Sequence, residues 1–205
     1  MTAFRTILLC AFATFVAGGA TFAQNLLTNS DFDTGVGLDA WTWGPGSLAL
    51  EGDSGSCLLS DAALATSAMA ASNQYFAMYS TQCIPVDGVA IPTLQIGALY
   101  RTTAPVWARL FAQTFSDAAC TQFLDFSGPV YGSTSAAWTA IGGAVTLDPL
   151  TLGVKFTADF NPMAADTPQF TGSFDRFYLG VLPQLLVDGF EAESGSACHW
   201  SQVVP

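Results

Sequence analysis

Three stretches of this chain alternate apolar and polar residues with a period of two, and nothing else in the sequence constrains the fold as strongly. LQIGALYR (94–101) sets Leu94, Ile96, Ala98 and Tyr100 against Gln95, Gly97, Leu99 and Arg101. VWARLFAQTF (106–115) sets Val106, Ala108, Leu110 and Ala112 against Trp107, Arg109, Phe111 and Gln113. LGVKFTAD (152–159) sets Leu152, Val154, Phe156 and Ala158 against Gly153, Lys155, Thr157 and Asp159. A helix would scatter each set around its circumference, whereas a strand puts the two sets on opposite faces. YFAMYS (75–80), WTAIGGAVTL (138–147) and FDRFYLGVL (174–182) add further strands. Many short strands with Gly- and Pro-bearing turns between them predict an all-β chain, an antiparallel β-sandwich or jelly roll. The best helical candidate is the Ala-rich LSDAALATSAMAASN (59–73), although its Ser and Thr content also suits a loop.

The first residues stand apart from that pattern. MTAFRTILLCAFATFVAGGATFA carries one cation, Arg5, then an apolar run and small residues, with Thr21 and Ala23 at the −3 and −1 positions of a cleavage site. This reads as a secretory signal peptide over 1–23, and the apolar run is shorter than the ~20 residues a membrane span needs. YLGVLPQLLV (178–187) is short and broken by Pro183, so no integral membrane segment is expected in the mature chain. The expected organisation is a signal peptide (1–23), a sandwich domain (24–182) and a C-terminal tail (183–205). The mature protein is expected to be soluble and secreted, either periplasmic or extracellular.

Loss of Arg5 takes the formal charge from −11 to −12 and leaves Arg101, Arg109, Lys155 and Arg176 as the cations. Phosphates would be repelled, which excludes nucleic acid and disfavours an anionic membrane surface. The acidity fits a neutral ligand or a bound cation. With Cys10 removed, Cys57, Cys83, Cys120 and Cys198 remain, without a CxxC and with a single His in the chain, so no zinc set is present. An even count in an oxidising compartment reads as disulfides, with three connectivities open. Cys83 precedes one central strand and Cys120 follows the next but one, so an antiparallel arrangement favours that pair. Cys57 with Cys198 is then the remainder.

NLLTNSDFDTGVGLDAWTW (25–43) resembles the opening of secreted carbohydrate-binding modules with a galactose-binding-like jelly-roll fold. FDRFYLG (174–180) resembles their closing strand, and QCIPV, SDAACTQ and AAWTAIGGAV fit the middle. The tail VDGFEAESGSACHWS resembles a short C-terminal segment of the form Asp-Gly-Phe-Glu-x-Gly found on many exported bacterial proteins, and it also echoes this chain's own SDFDTGVGLDAW (30–41). The resemblance implies that Trp41 packs in the core. It also implies that Asp33, after the opening Phe, meets Asp175 of the last strand around a structural calcium ion. Calcium takes 6–8 oxygen ligands, and loop carbonyls can complete such a set. The family usually has Glu where this chain has Asp33.

A sugar site needs an aromatic ring for the apolar face of the pyranose beside fixed hydrogen-bonding groups. Trp107, Arg109 and Gln113 share one phase of their strand, Arg101 and Gln95 share a phase on the preceding one, and Lys155 and Asp159 share a phase on a third. The candidate ligand-binding residues are therefore Trp107, Arg109, Gln113, Arg101 and Lys155, with Trp107, Tyr100, Tyr131 and Trp138 as candidates for stacking. Catalysis finds little support. His199 lies in the tail, and no phosphate loop, HExxH or recognisable carboxylate pair occurs. The expected function is non-catalytic binding of a polysaccharide or other glycan. The alternatives are a structural or adhesive exoprotein and, more weakly, a glycan-active hydrolase.

Overall fold

The computed structural model describes residues 25–55, 58–68 and 75–181. The strands in chain order are β1 (Trp41–Gly44), β2 (Gly46–Gly52), β3 (Asp61–Ser67), β4 (Phe76–Ser80), β5 (Ile84–Pro85), β6 (Thr93–Thr102), β7 (Val106–Phe115), β8 (Phe123–Gly132), β9 (Ser135–Thr146), β10 (Gly153–Pro162) and β11 (Thr171–Gly180). They form two antiparallel sheets. The first runs β1-β4-β10-β7-β8 with β5 added to β10, and the second runs β2-β3-β11-β6-β9. The two sheets face each other as an all-β sandwich, as the alternation predicted.

The alternating sets decide which side chains lie between the sheets. Val106, Ala108, Leu110 and Ala112 of β7, Val154, Phe156, Ala158 and Phe160 of β10, and Leu94, Ile96, Ala98 and Tyr100 of β6 are all buried in one core. Trp41 joins them. Its ring lies 4.8 Å from Phe177 and 6.1 Å from Phe156, and its indole N–H donates to the carbonyl of Asn29 at 3.0 Å. Each buried ring contributes about 1.5–3 kcal/mol of transfer free energy, and the indole proton is not left unsatisfied. The Asn residues of the opening motif act on the backbone. Asn25 donates to the Phe177 carbonyl at 2.7 Å and accepts from the Leu179 N–H at 3.1 Å, lacing the opening segment to β11. Asn29 donates to the carbonyls of Gly37 and Asp39, holding the loop that leads to Trp41.

Consecutive strands often lie in opposite sheets. β6 and β7 are joined by only a few residues, yet β6 pairs with β9 and β11 while β7 pairs with β8 and β10. The chain also changes sheet between β1 and β2. There Gly46 sits at φ +124°, and a Cβ would lie 2.2 Å from the Thr66 carbonyl, so only glycine fits the crossing. The helical candidate is corrected. Residues 61–67 form β3, hydrogen-bonded to β2 on one side and β11 on the other. Pairing on both edges and the burial of Ala62, Ala63 and Ala65 override alanine's helical preference.

Cys83 and Cys120 form a disulfide with their Cα atoms 5.8 Å apart. β5, which follows Cys83, and the end of β7, which precedes Cys120, flank the same residue of β10, Gly153. The signal peptide, Cys57, Cys198, the tail and its His199 lie outside the described residues.

Candidate functional site

The outward residues of β7, β10, β8 and β4 meet on the outer face of the first sheet. The register sets Arg109 beside Asp159 and Tyr131, Lys155 beside Gln113, Asn161 beside Trp107, and Thr157 between Phe111 and Tyr79. At one end Trp107 and Tyr131 make an edge-to-face pair, 6.1 Å between ring centroids, and remain 39% and 58% exposed. At the other end Phe111, Phe126 and Phe123 pack edge to face at 5.9 and 5.1 Å, with Phe126 and Phe123 about half exposed. Exposed rings in such numbers on one sheet face are unusual for a surface with no partner.

Between the two aromatic ends lies a bidentate ion pair. Arg109 Nε donates to Asp159 Oδ1 at 2.7 Å and its NH2 nitrogen to Oδ2 at 2.6 Å, while Asp159 itself is only 5% exposed. Burial pushes the Asp159 carboxyl up, against the pull of the guanidinium. For Arg109, burial acts downward but is outweighed by Asp159, with Tyr131 acting in the same sense, so its pKa rises. The forked geometry fixes both groups as a rigid polar centre. Tyr79 borders it from β4. Burial raises its phenol pKa, and the neighbouring Tyr75 and Asp159 add to the rise. Arg109 also lies 5.1 Å from the Phe111 ring centroid, and Lys155 lies 5.7 Å from that of Phe115.

Four of the five candidate binding residues, Trp107, Arg109, Gln113 and Lys155, thus share this face. Arg101 does not. It stands on the outer face of the second sheet, ion-paired to Glu51 at 2.9 Å and 4.7 Å from the Trp138 ring centroid. Of the stacking candidates, Tyr131 joins Trp107, Trp138 lies with Arg101, and Tyr100 is buried with its hydroxyl donating to the Ser133 carbonyl at 2.7 Å. Phe123, Phe126, Tyr75 and Tyr79 were not anticipated. The density of aromatics in FLDFSGPVY (123–131) is the signal that marks β8 as part of the face.

Asp175 is fully buried on β11. Its Oδ2 accepts from the Ser54 N–H at 2.9 Å and its Oδ1 from the Arg176 N–H at 2.8 Å. Burial pushes its carboxyl up to about 8. The Ser54 hydrogen bonds oppose that rise, and the nearby Asp53 carboxylate reinforces it. Asp33 forms an isolated bridge with Ser60 in the adjoining loop. Two close carboxyls in a dry setting are relieved by a proton or a cation, and an all-oxygen donor set fits calcium. The carboxylate acting on Asp175 is Asp53, and among the described residues no three acidic, His or Cys side chains converge.

No protein-family profile matches this chain, and no curated protein matches it in sequence. Solved structures match it in shape. A family 61 carbohydrate-binding module in complex with β-1,4-galactotriose superposes with a TM-score of 0.51 at 15% identity, over 76% of this chain and 97% of that one. The chain shares the β-sandwich fold of that module. An arabinose-bound α-L-arabinofuranosidase matches at a TM-score of 0.53 and 19% identity, over 77% of this chain but 26% of the enzyme. An exo-β-agarase matches at 0.53 and 8%, over 78% of this chain and 25% of that one. No helix among the described residues is long and apolar enough to cross a membrane.

Proposed function

We propose that the protein is a secreted, non-catalytic glycan-binding module that holds a polysaccharide chain on the outer face of its first sheet. The exposed Trp107–Tyr131 pair beside the fixed Arg109–Asp159 fork carries this reading. The rings offer an apolar platform for the sugar's C–H face, the fork and Asn161 offer polar partners at its edge, and Gln113 and Lys155 lie about 20 Å further along the strands, where later residues of a chain would pass. The galactotriose bound by the family 61 module, which shares the fold, supports a glycan as the class of ligand. Asp159 is engaged by two nitrogens of Arg109, which suits binding rather than proton transfer. A calcium ion, where bound, would be held by Asp175 with Asp53 beside it and loop carbonyls completing the set, and would serve the fold rather than the ligand.

The experiment is a glycan array followed by affinity electrophoresis of the positive polysaccharides. Trp107→Ala should weaken binding at least about tenfold, since a buried aromatic surface contributes about 1.5–3 kcal/mol. Its melting temperature should stay unchanged, because Trp107 is an exposed residue. A second reading, a structural or adhesive exoprotein, draws on the outer face of the second sheet, where Ala140, Gly142 and Ala144 leave an exposed strip of small residues. A wild-type protein silent on every glycan would favour that reading.

A further inference from the structure

We propose that a notch at the β8–β9 edge of the sandwich is a second subsite, continuous with the aromatic face, that takes the hydroxyl groups of a neutral glycan and turns acidic glycans away. The inference rests on the glycan-binding reading and names the ligand's charge class.

The notch is an open depression of about 560 Å³, and its lining includes Thr114, Asp125, Phe126, Ser127, Thr146 and Asp148. A volume of this order is within the range of small-ligand sites. It forms where the two sheets part. β8 is the edge of the first sheet and β9 the edge of the second, and β8 slips in register against β7 on both sides of Ser127. The Ser127 hydroxyl donates to the Thr146 carbonyl and ties the two edges together at the notch wall.

Phe126 connects the notch to the face. Its ring packs against Phe111 and Phe123 on the outer surface, and the same residue lines the notch. A sugar chain running along the face from Trp107 toward Phe126 would therefore meet the notch at the sheet edge.

The notch chemistry is that of acceptors. Asp125 Oδ1 accepts from the Phe126 N–H and Asp148 Oδ1 from the Leu150 N–H, each at 2.7 Å. These bonds fix both carboxylates by one oxygen, and among the described residues the second oxygen of each receives no hydrogen bond. Thr114 is committed to the backbone of Asp125, donating to its carbonyl at 2.9 Å. What remains at the lining are the exposed carboxylates of Asp125 and Asp148, acceptors that a ligand would have to meet with donors of its own. Sugar hydroxyls do so without charge, whereas a uronate or sulfate would bring a second anion into a chain of formal charge −11. The nearby cations are placed elsewhere, Arg109 in the fork with Asp159 and Lys155 above Phe115. A metal ligand set is disfavoured, because no three acidic, His or Cys groups converge among the described residues.

The test is titration calorimetry of the purified protein with galactan, mixed-linkage glucan and xylan oligosaccharides from disaccharide to hexasaccharide, and with oligogalacturonates. Trp107→Ala should weaken binding at every length. Asp125→Asn and Asp148→Asn should each weaken only the longer neutral ligands, by about tenfold, as expected for loss of a hydrogen bond to a charged acceptor. The double variant should gain measurable binding to oligogalacturonates that the wild type rejects. If Trp107→Ala loses binding while both Asn variants keep wild-type affinity at all lengths, the notch is not a subsite and the face reading stands. If the wild type binds oligogalacturonates as tightly as neutral chains, the charge class is wrong. If it binds no oligosaccharide at all, the face reading and the notch fall together.

Discussion

Gly153 lies beneath the disulfide, and replacing it by alanine tests whether the bridge and the sheet are one mechanical unit. A Cβ there would stand 2.7 Å from the Asp117 carbonyl, 2.9 Å from Cys120 Sγ and 3.2 Å from Cys83 Sγ. None of these atoms can withdraw easily. The Asp117 carbonyl accepts from the Cys120 N–H, and the Asp117 carboxylate accepts from the N–H groups of Thr121 and Gln122 at 2.9 and 2.7 Å, so the whole turn is fixed. Gly153 itself is held between Phe115 and Pro85 in the sheet. Overpacking of this kind costs about 1–3 kcal/mol, and at ~2–4 °C per kcal/mol for a chain of this size the midpoint should fall by about 2–12 °C. Removing the bridge with Cys83→Ala and Cys120→Ala costs on the order of 3–4 kcal/mol in the chain-entropy account of a loop this long. It also removes two of the three obstructing atoms. In that background Gly153→Ala should cost less than half of what it costs in the wild type, a coupling of about 1 kcal/mol between touching sites. The assay is a four-protein set of thermal melts followed by circular dichroism. Equal shifts from Gly153→Ala with and without the bridge, within about a degree, would refute the reasoning and leave Asp117 as the whole obstacle.

Asp159→Asn should destabilise by about 3 kcal/mol, because it leaves the half-buried Arg109 without its counter-charge. The double change Arg109→Met with Asp159→Leu should be milder than that single change in denaturant melts, and a harsher double would contradict the account. Calcium at about 100 times its dissociation constant should add about 2.7 kcal/mol to stability, read as a raised midpoint relative to chelator, and Asp175→Asn should abolish the difference. Identical wild-type midpoints in calcium and chelator would remove the ion from the account. Truncation after Leu186 should leave the midpoint within about a degree, because β11, the last described strand, already ends at Gly180. A fall of many degrees would make residues 187–205 part of the fold.

The legible parts of the fold were those in which one face of a strand is apolar and the other is not. β6, β7 and β10 declared themselves because one alternate set of residues in each is apolar and packs in the core. β3 did not, since its small Ala, Ser and Thr side chains satisfy a helix as well as a strand until pairing on both edges decides. β8 did not, because Gly128 and Pro129 interrupt it and its residues are largely exposed or only partly buried. The candidate site was legible along each strand and illegible between strands. Arg101 and Arg109 both sit at outward phases, but phase does not say which sheet a strand joins. The short connection between β6 and β7 looks like a hairpin and is in fact a passage from one sheet to the other. Asp159 was seen in phase with Lys155, but its burial and its fork with Arg109 arise from the register of β10 on β7, which no single strand encodes.

That register has an evolutionary consequence. Along β7 the residues that hold the molecule together and the residues that meet the outside world are interleaved one by one, Ala108 and Leu110 in one role, Trp107, Arg109 and Phe111 in the other. Mutation can rewrite the second set while the first is inherited unchanged. The Arg109–Asp159 fork is the exception, because Asp159 lies on the outward side yet is almost as hidden as the interior. Lineages descending from such a scaffold should therefore diversify their rings freely and change the fork only in paired steps, both partners together.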